Sequence, residues 1–239
     1  FCNIYSTFMQ RAYDNVIHDV AIQDLPVVMC LDRGGLVGED GVTHHGVFDM
    51  AAFGAVPGLV IAAPMNEPEL RNMMYTALGS GHPFMIRYPR GHGEGLPWRG
   101  EKFETLPVGR GRCLREGADV ALLTVGTVGN AAARAAGRAA AEGVSVAHYD
   151  LRFVKPLDEA LLDEVGRKFR RVVTVEDGSL RGGVGEAVAA FFNGRGYDVR
   201  VQRLGIGDEW VEHGTPGQLY ALCGYDEEGI LRALLDTRA

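Results

Sequence analysis

The densest chemistry in this 239-residue chain lies in residues 32–46, DRGGLVGEDGVTHHG. Arg33, Glu39, Asp40, His44 and His45 fall there among five glycines. A histidine near a carboxylate is a workable proton-transfer pair, and glycine lets backbone approach a ligand closely. The apolar run PVVMCL at 26–31 has the length of a buried strand. The loop therefore leaves the carboxyl end of that strand, where open α/β sheets bind ligands. The residue types point to a ligand-binding segment, against the alternative of a solvated loop whose charges do nothing. A second candidate, Arg87-Tyr88-Pro89-Arg90-Gly91, follows another apolar run. Two guanidinium forks at i and i+3 could grip a phosphate or carboxylate; pairing with surface acids fits the same residues.

Other segments favour structural readings. Gly126-Thr127-Val128-Gly129 joins a strand to a helix, but it is neither the full dinucleotide pattern nor followed by a phosphate-binding lysine. Tight strand-to-helix turns need glycine whatever they bind. The glycines of EDGSLRGGVGE, 176–186, either turn a helix N-terminus toward a neighbouring domain or merely permit a turn. Phe8, Tyr5 and Tyr13 lie on or beside an amphipathic segment, and aromatics at helical spacing are usually core. His18, His82, His92, His148 and His213 have no partner in the pattern.

The elements that must position these residues alternate between helix and strand. Residues 6–23 read as one amphipathic helix, with Phe8, Ala12, Val16 and Val20 on a ridge. Strands follow at 26–31, 59–62 and 84–88, with a helix at 67–78 that Asn66 caps. After a Gly- and Pro-rich linker near 91–111 come strands at 119–125, 144–149, 171–176 and 199–204. Helices at 130–142, 158–169 and 185–192 separate them. Such alternation implies βαβ units in α/β layers. There is no internal repeat of fixed period.

Composition excludes several classes. Hydrophobic residues make up 46% and charged residues 23%, an ordinary globular balance. A net charge of −7 with no basic tract argues against nucleic acid or an anionic membrane as partner. No apolar run approaches the roughly 18 residues that span a bilayer, and the first residues do not read as a signal peptide. The four cysteines show no metal-type spacing and read as reduced cytoplasmic thiols. No metal site is expected in this chain.

Three segments, YSTFMQRAYDNVIHDV (5–20), DRGGLVGEDGVTHHG (32–46) and IRYPRG (86–91), resemble the pyrimidine-binding domain of the 1-deoxy-D-xylulose-5-phosphate synthases. EDGSLRGGVGEAV (176–188) resembles the final domain of the wider transketolase group. The 32–46 run is specific to the synthases, whereas the last pattern is shared widely. The resemblance covers essentially the whole chain. It implies two α/β domains with parallel or mixed sheets: an N-terminally truncated pyrimidine-binding domain at 1–105, and a transketolase C-terminal-like domain at 106–239.

The reaction implied joins pyruvate to glyceraldehyde 3-phosphate with loss of carbon dioxide, serving isoprenoid, thiamine and pyridoxal synthesis. The implied cofactors are thiamine diphosphate and Mg2+. By the same resemblance Phe8 stacks on the aminopyrimidine ring, with Tyr5 nearby and Arg11 as a further candidate. Arg33 and Arg90 hold the substrate phosphate. Asp40 and His44 orient substrate and move protons near the reacting carbons, while His45 is a supporting residue. The family's Gly-Asp-Gly diphosphate motif and activating glutamate do not occur in this sequence. The expected partner is therefore the missing N-terminal portion of the same enzyme, without which the chain is inactive. A cytoplasmic homodimer is implied as well. The alternatives are another transketolase-type enzyme or a non-catalytic dimerisation fragment.

Overall fold

The computed structural model describes residues 1–236, so residues 237–239 of the expected second domain lie outside the described residues. Four strands begin the architecture: β1 (Cys2–Tyr5), β2 (Val28–Asp32), β3 (Val60–Ala62) and β4 (Phe84–Arg87). They pair in parallel in the order β1-β2-β4-β3. A second sheet takes β5 (Arg112–Arg115), β6 (Val120–Val125), β7 (Val146–Asp150), β9 (Arg171–Ser179) and β10 (Arg200–Ile206), in the order β10-β9-β6-β7-β5. Only its β5–β7 pair is antiparallel.

The remaining strand, β8 (Phe153–Lys155), crosses over. It pairs antiparallel with β3 and completes the first sheet, although it follows β7 in the chain. Both sheets are therefore mixed, with five strands each. The two halves interlock at this point. Arg152 grips Glu69 through two bonds of 2.8 and 2.9 Å. Arg112 joins the same carboxylate at 2.9 Å and Asp150 at 3.1 Å, and the Ala63 amide donates to the Arg152 carbonyl at 2.9 Å.

Strand periodicity builds the cores. Successive side chains on a strand face opposite ways, so a strand buried on both faces feeds two cores. In β6, Val120 and Leu122 pack in one cluster, whereas Ala121, Leu123 and Val125 pack in another. In β2, Met29 and Leu31 share one cluster while Val28 and Cys30 share a second. Helix α5 (Val128–Ala141) buries Ala132, Ala135, Ala136 and Ala139 beside Ile230, Leu231 and Leu234 of α9 (Glu227–Leu235). Alanine is the best helix former, and its small side chain permits this close packing.

Several expectations need revision. The helix expected at 6–23 is four short pieces: α1 (Ser6–Met9), a 3-10 turn (Gln10–Ala12), α2 (Tyr13–Asn15) and a π-helical stretch (Val16–Ala21). Its first turn is fastened sideways, because Ser6 Oγ donates to Asp49 Oδ2 at 2.9 Å and Thr7 Oγ1 to the Thr43 carbonyl at 3.1 Å. The residues before it form β1 rather than entering helix directly. Helix α5 starts two residues ahead of the expected 130, and β9 runs on to Ser179. The expected helices at 67–78, 158–169 and 185–192 appear as α4 (Glu67–Ser80), α6 (Glu159–Lys168) and α7 (Val184–Gly194). Asn66 caps α4, accepting from the Glu69 amide at 3.1 Å.

Candidate active site

Two parallel strands end side by side at the site. β1 stops at Tyr5 and β2 at Asp32, which are paired in register. Beyond β2, Arg33 takes a left-handed conformation (φ 56°), which turns the chain out of the sheet. The guanidinium carbon of Arg33 then lies 3.7 Å from the Tyr5 ring centroid, and Nη1 bonds Asp32 at 3.3 Å. Its Nε is buried without a hydrogen-bond partner. Buried donors are ordinarily satisfied, so such an atom invites a ligand acceptor.

Tyr5 stacks on Phe8, with ring centroids 5.3 Å apart and planes 11° from parallel. The His44 ring meets Phe8 edge-on at 5.5 Å, and the Arg11 guanidinium lies 5.8 Å from the Phe8 centroid. Thr43 Oγ1 holds His44 Nδ1 at 2.9 Å. Phe8 is thus half-buried in this cluster, while Met9 and Val16 are buried in the core. The five residues Tyr5, Phe8, Arg11, Arg33 and His44 form one continuous set of contacts. Asp40 and Arg90 form a separate ion pair of 2.8 Å on the exposed rim. Tyr88, Arg90, Met65, Thr127 and Arg134 line a cavity of about 570 Å³ between the two halves.

The loop's ends are clamped together. The Gly35 amide donates to the Gly46 carbonyl at 2.7 Å and the Gly46 amide to the Gly35 carbonyl at 2.8 Å. A side chain on Gly46 would meet the Arg33 carbonyl at 2.2 Å, so glycine is required there by close approach. His45 is buried, with Nδ1 accepting from the Val37 amide at 3.1 Å. Its proton is therefore on Nε2, which donates to the Glu212 carbonyl at 3.3 Å. His45 thus fastens the loop.

Arg87 does not join Arg90 in a phosphate grip. It is buried, bonding Asp49 Oδ2 at 2.8 Å, the Asp177 carbonyl at 2.9 Å and the Gly46 carbonyl at 3.3 Å. Burial opposes its charge, but Asp49 and Asp177 outweigh that and hold its pKa above the ordinary value. Burial pushes the Asp177 carboxyl upward, against the pull of Arg87. Glu176, also raised by burial, accepts from the Val184 and Gly185 amides at 2.8 Å each. From strand β9 it fills the N-terminus of helix α7, and a side chain on Gly183 would collide with it. The Gly126 turn has a similar structural cause: a side chain on Gly129 would press on Met65 and Thr124 at 3.1 Å.

Sequence reasoning missed Asp49, Asp177 and Tyr225. Asp177 meets Leu36 across 141 positions of sequence, which no local pattern announces.

An aminopyrimidine ring fits what is present, since Phe8 and Tyr5 supply a flat aromatic platform. Among the described residues there is no group of three or more His, Cys, Asp or Glu that could hold a metal ion. No helix of the described residues is long and apolar enough to cross a membrane.

Comparison with known proteins gives the family of both halves. Residues 1–94 match the family described as "Transketolase, pyrimidine binding domain", and residues 109–230 match "Transketolase, C-terminal domain". The chain is 59% identical over 240 residues to the 1-deoxy-D-xylulose-5-phosphate synthase of Bacteroides fragilis, covering 100% of this chain and 37% of that protein. The protein of the same name from Symbiobacterium thermophilum is 49% identical over 227 residues, covering 95% of this chain and 35% of its own length. The chain thus spans little more than a third of these relatives. A solved structure titled "Split gene transketolase, inactive beta4 tetramer" superposes with a TM-score of 0.86 at 26% identity, covering 97% of this chain and 74% of that one.

Proposed function

The chain belongs to the transketolase family, carrying its pyrimidine-binding and C-terminal domains, and from that premise we propose that it is the substrate-facing C-terminal portion of a 1-deoxy-D-xylulose-5-phosphate synthase. The observation that carries this reading is the cluster of Tyr5, Phe8, Arg33 and His44 at adjoining strand ends, with a buried Arg33 Nε lacking an acceptor. Thiamine diphosphate, when bound, supplies the electron sink for decarboxylation of pyruvate. Phe8 offers its face to the aminopyrimidine, Tyr5 backs that ring, and Arg11 borders it. Arg33 and Arg90 bind the phosphate of glyceraldehyde 3-phosphate, with Asp40 setting the direction of the Arg90 fork. His44, held by Thr43, serves in this reading as the proton donor to the aldehyde oxygen as it becomes an alkoxide. Mg2+ and the diphosphate fall to an N-terminal portion of the same enzyme. A homodimeric, cytoplasmic enzyme feeding isoprenoid and thiamine synthesis belongs to the same reading.

The test is reconstitution. The chain is co-expressed with the N-terminal portion of the Bacteroides fragilis relative and assayed for pyruvate- and glyceraldehyde 3-phosphate-dependent product. Arg33→Met and Arg90→Met should each raise KM for the phosphorylated substrate about ten- to hundredfold, the worth of one charge-assisted contact. Unchanged KM in both variants would sink the phosphate assignment.

One observation favours a second reading, assembly without catalysis: the superposing structure is titled an inactive tetramer of a split-gene chain. Exposed Trp210, edge-on to Phe48 at 6.1 Å, and exposed Leu222 supply apolar surface for such contacts. Reconstituted turnover rules that reading out.

A further inference from the structure

The second half of the chain reaches the loop that carries Arg33, Asp40 and His44, and it does so through one carboxylate. Asp177 Oδ1 accepts from the Leu36 amide at 3.1 Å and from the Tyr225 hydroxyl at 2.7 Å. A carboxylate oxygen has lone pairs for both. Its other oxygen presses on Gly35, where a side chain would come within 1.8 Å of it. Gly35 has φ +83°, so the close approach and the left-handed turn both require glycine. The far end of the loop is tied to the same residue, because Arg87 Nη2 spans the Asp177 carbonyl at 2.9 Å and the Gly46 carbonyl at 3.3 Å. Entry and exit of the loop therefore converge on residue 177.

Further bonds continue the seam. The Ser179 amide donates to the Val47 carbonyl at 2.9 Å, and the Gly214 amide to the Gly38 carbonyl at 3.4 Å. Tyr225 is itself fixed, buried next to the left-handed Gly224 that ends helix α8 (Pro216–Cys223), with its amide donating to the Tyr220 carbonyl at 3.1 Å.

We propose that Asp177 and Tyr225 are positioning residues: they set the conformation of residues 33–46 and so the placement of Arg33, Asp40 and His44. The geometric part stands on the chain alone, while its catalytic meaning rests on the function proposed above. Asp177 touches loop backbone and acts through it, and Tyr225 acts through Asp177. The terminal helices thereby set the shape of a site built on the other sheet.

The test is amide hydrogen exchange on the 239-residue chain, with Asp177→Asn, Asp177→Ala and Tyr225→Phe. Asparagine keeps an acceptor for both the Leu36 amide and the Tyr225 hydroxyl, alanine keeps neither, and phenylalanine removes only the hydroxyl. Alanine should speed exchange at Leu36 and its loop neighbours about tenfold or more beyond any change in β6 amides. Asparagine should rescue most of that, and Tyr225→Phe should fall between. Equal acceleration in loop and β6, or none at Leu36, overturns the proposal. If Asp177→Ala does not fold, Tyr225→Phe decides: loop-selective acceleration supports positioning and its absence refutes it. In the reconstituted enzyme, Tyr225→Phe should raise KM for glyceraldehyde 3-phosphate severalfold with kcat less affected. Loop-selective exchange with no reconstituted turnover would support positioning and overturn the proposed function, so the two can fail separately.

Discussion

Replacing Arg87 by methionine isolates the value of a buried charge that the sequence alone offers equally well as a ligand contact. Methionine keeps much of the stem's bulk, so the loss is chiefly of pairing. The guanidinium bonds Asp49 at 2.8 Å, the Asp177 carbonyl at 2.9 Å and the Gly46 carbonyl at 3.3 Å. The side chains of Arg87 and Asp49 are 5% and 1% exposed, so water cannot replace the lost partner. Breaking a buried pair from one side costs about 3–5 kcal/mol, mostly from the carboxylate left behind. With a urea dependence of about 3 kcal/mol/M, the midpoint should fall by roughly 1–2 M. The control is Arg90→Met, whose ion pair with Asp40 is 44% and 41% exposed and is worth under about 1 kcal/mol. A double variant, Arg87→Met with Asp49→Leu, should cost about 2 kcal/mol less than the sum of its singles, because it removes the stranded carboxylate. Urea unfolding followed by far-UV circular dichroism measures all four. An Arg87→Met cost below 1 kcal/mol, or strict additivity in the double variant, would refute the claim that Arg87 is a structural cation.

Other consequences follow from single observations. Gly46→Ala would put a side chain 2.2 Å from the Arg33 carbonyl; the clamp must open, at a cost of about 2–3 kcal/mol in urea melts. Gly54→Ala, in helix α3 (Asp49–Gly54) with nothing within 4 Å, should instead gain about 0.5–1 kcal/mol. Asn66→Ala removes the α4 cap and should cost about 1 kcal/mol, visible as a lowered melting temperature. His148 is buried beside Thr124, and burial first, then the Arg112 charge, lowers its pKa from 6.5 to about 4. The unfolded chain then binds this proton at higher pH than the folded one. The stabilisation is complete above pH 6.5 and is lost as pH falls toward 4, by about 3 kcal/mol. The difference between wild type and His148→Gln across that range should carry that slope, and parallel curves would exclude it.

Much of the fold was legible because burial on two faces writes itself as short apolar runs. The runs at 26–31, 59–62 and 119–125 are strands β2, β3 and β6 to within a residue or two. Helix α8 was also readable in principle: Thr215 and Gln218 form a capping box, Pro216 opens the first turn and Gly224 stops the helix. Strand β8 was not. It has three residues, and its antiparallel pairing with β3 is specified by the other half of the chain. The site divides in the same way. The residue types of 32–46 are local, but what fastens them (Asp177, Glu212 and Gly214) lies more than 130 positions downstream.

The two arginines at strand ends show what decides such cases. Both follow apolar strands, and residue type cannot separate them. On β4 the side chains alternate, with Phe84 and Ile86 in one core and Met85 in the other. Arg87 continues the Met85 alternation, onto the side where Ser6 and Asp49 gather. A cation emerging there needs an anion and carbonyls, and Asp49, Gly46 and Asp177 provide them. Arg33 stands one residue past β2, where φ 56° breaks the alternation. Its guanidinium goes to the Tyr5 ring instead and keeps an unused donor. One arginine is consumed by the fold and the other is left with a free hydrogen bond, because a single left-handed residue separates a strand position from a site position.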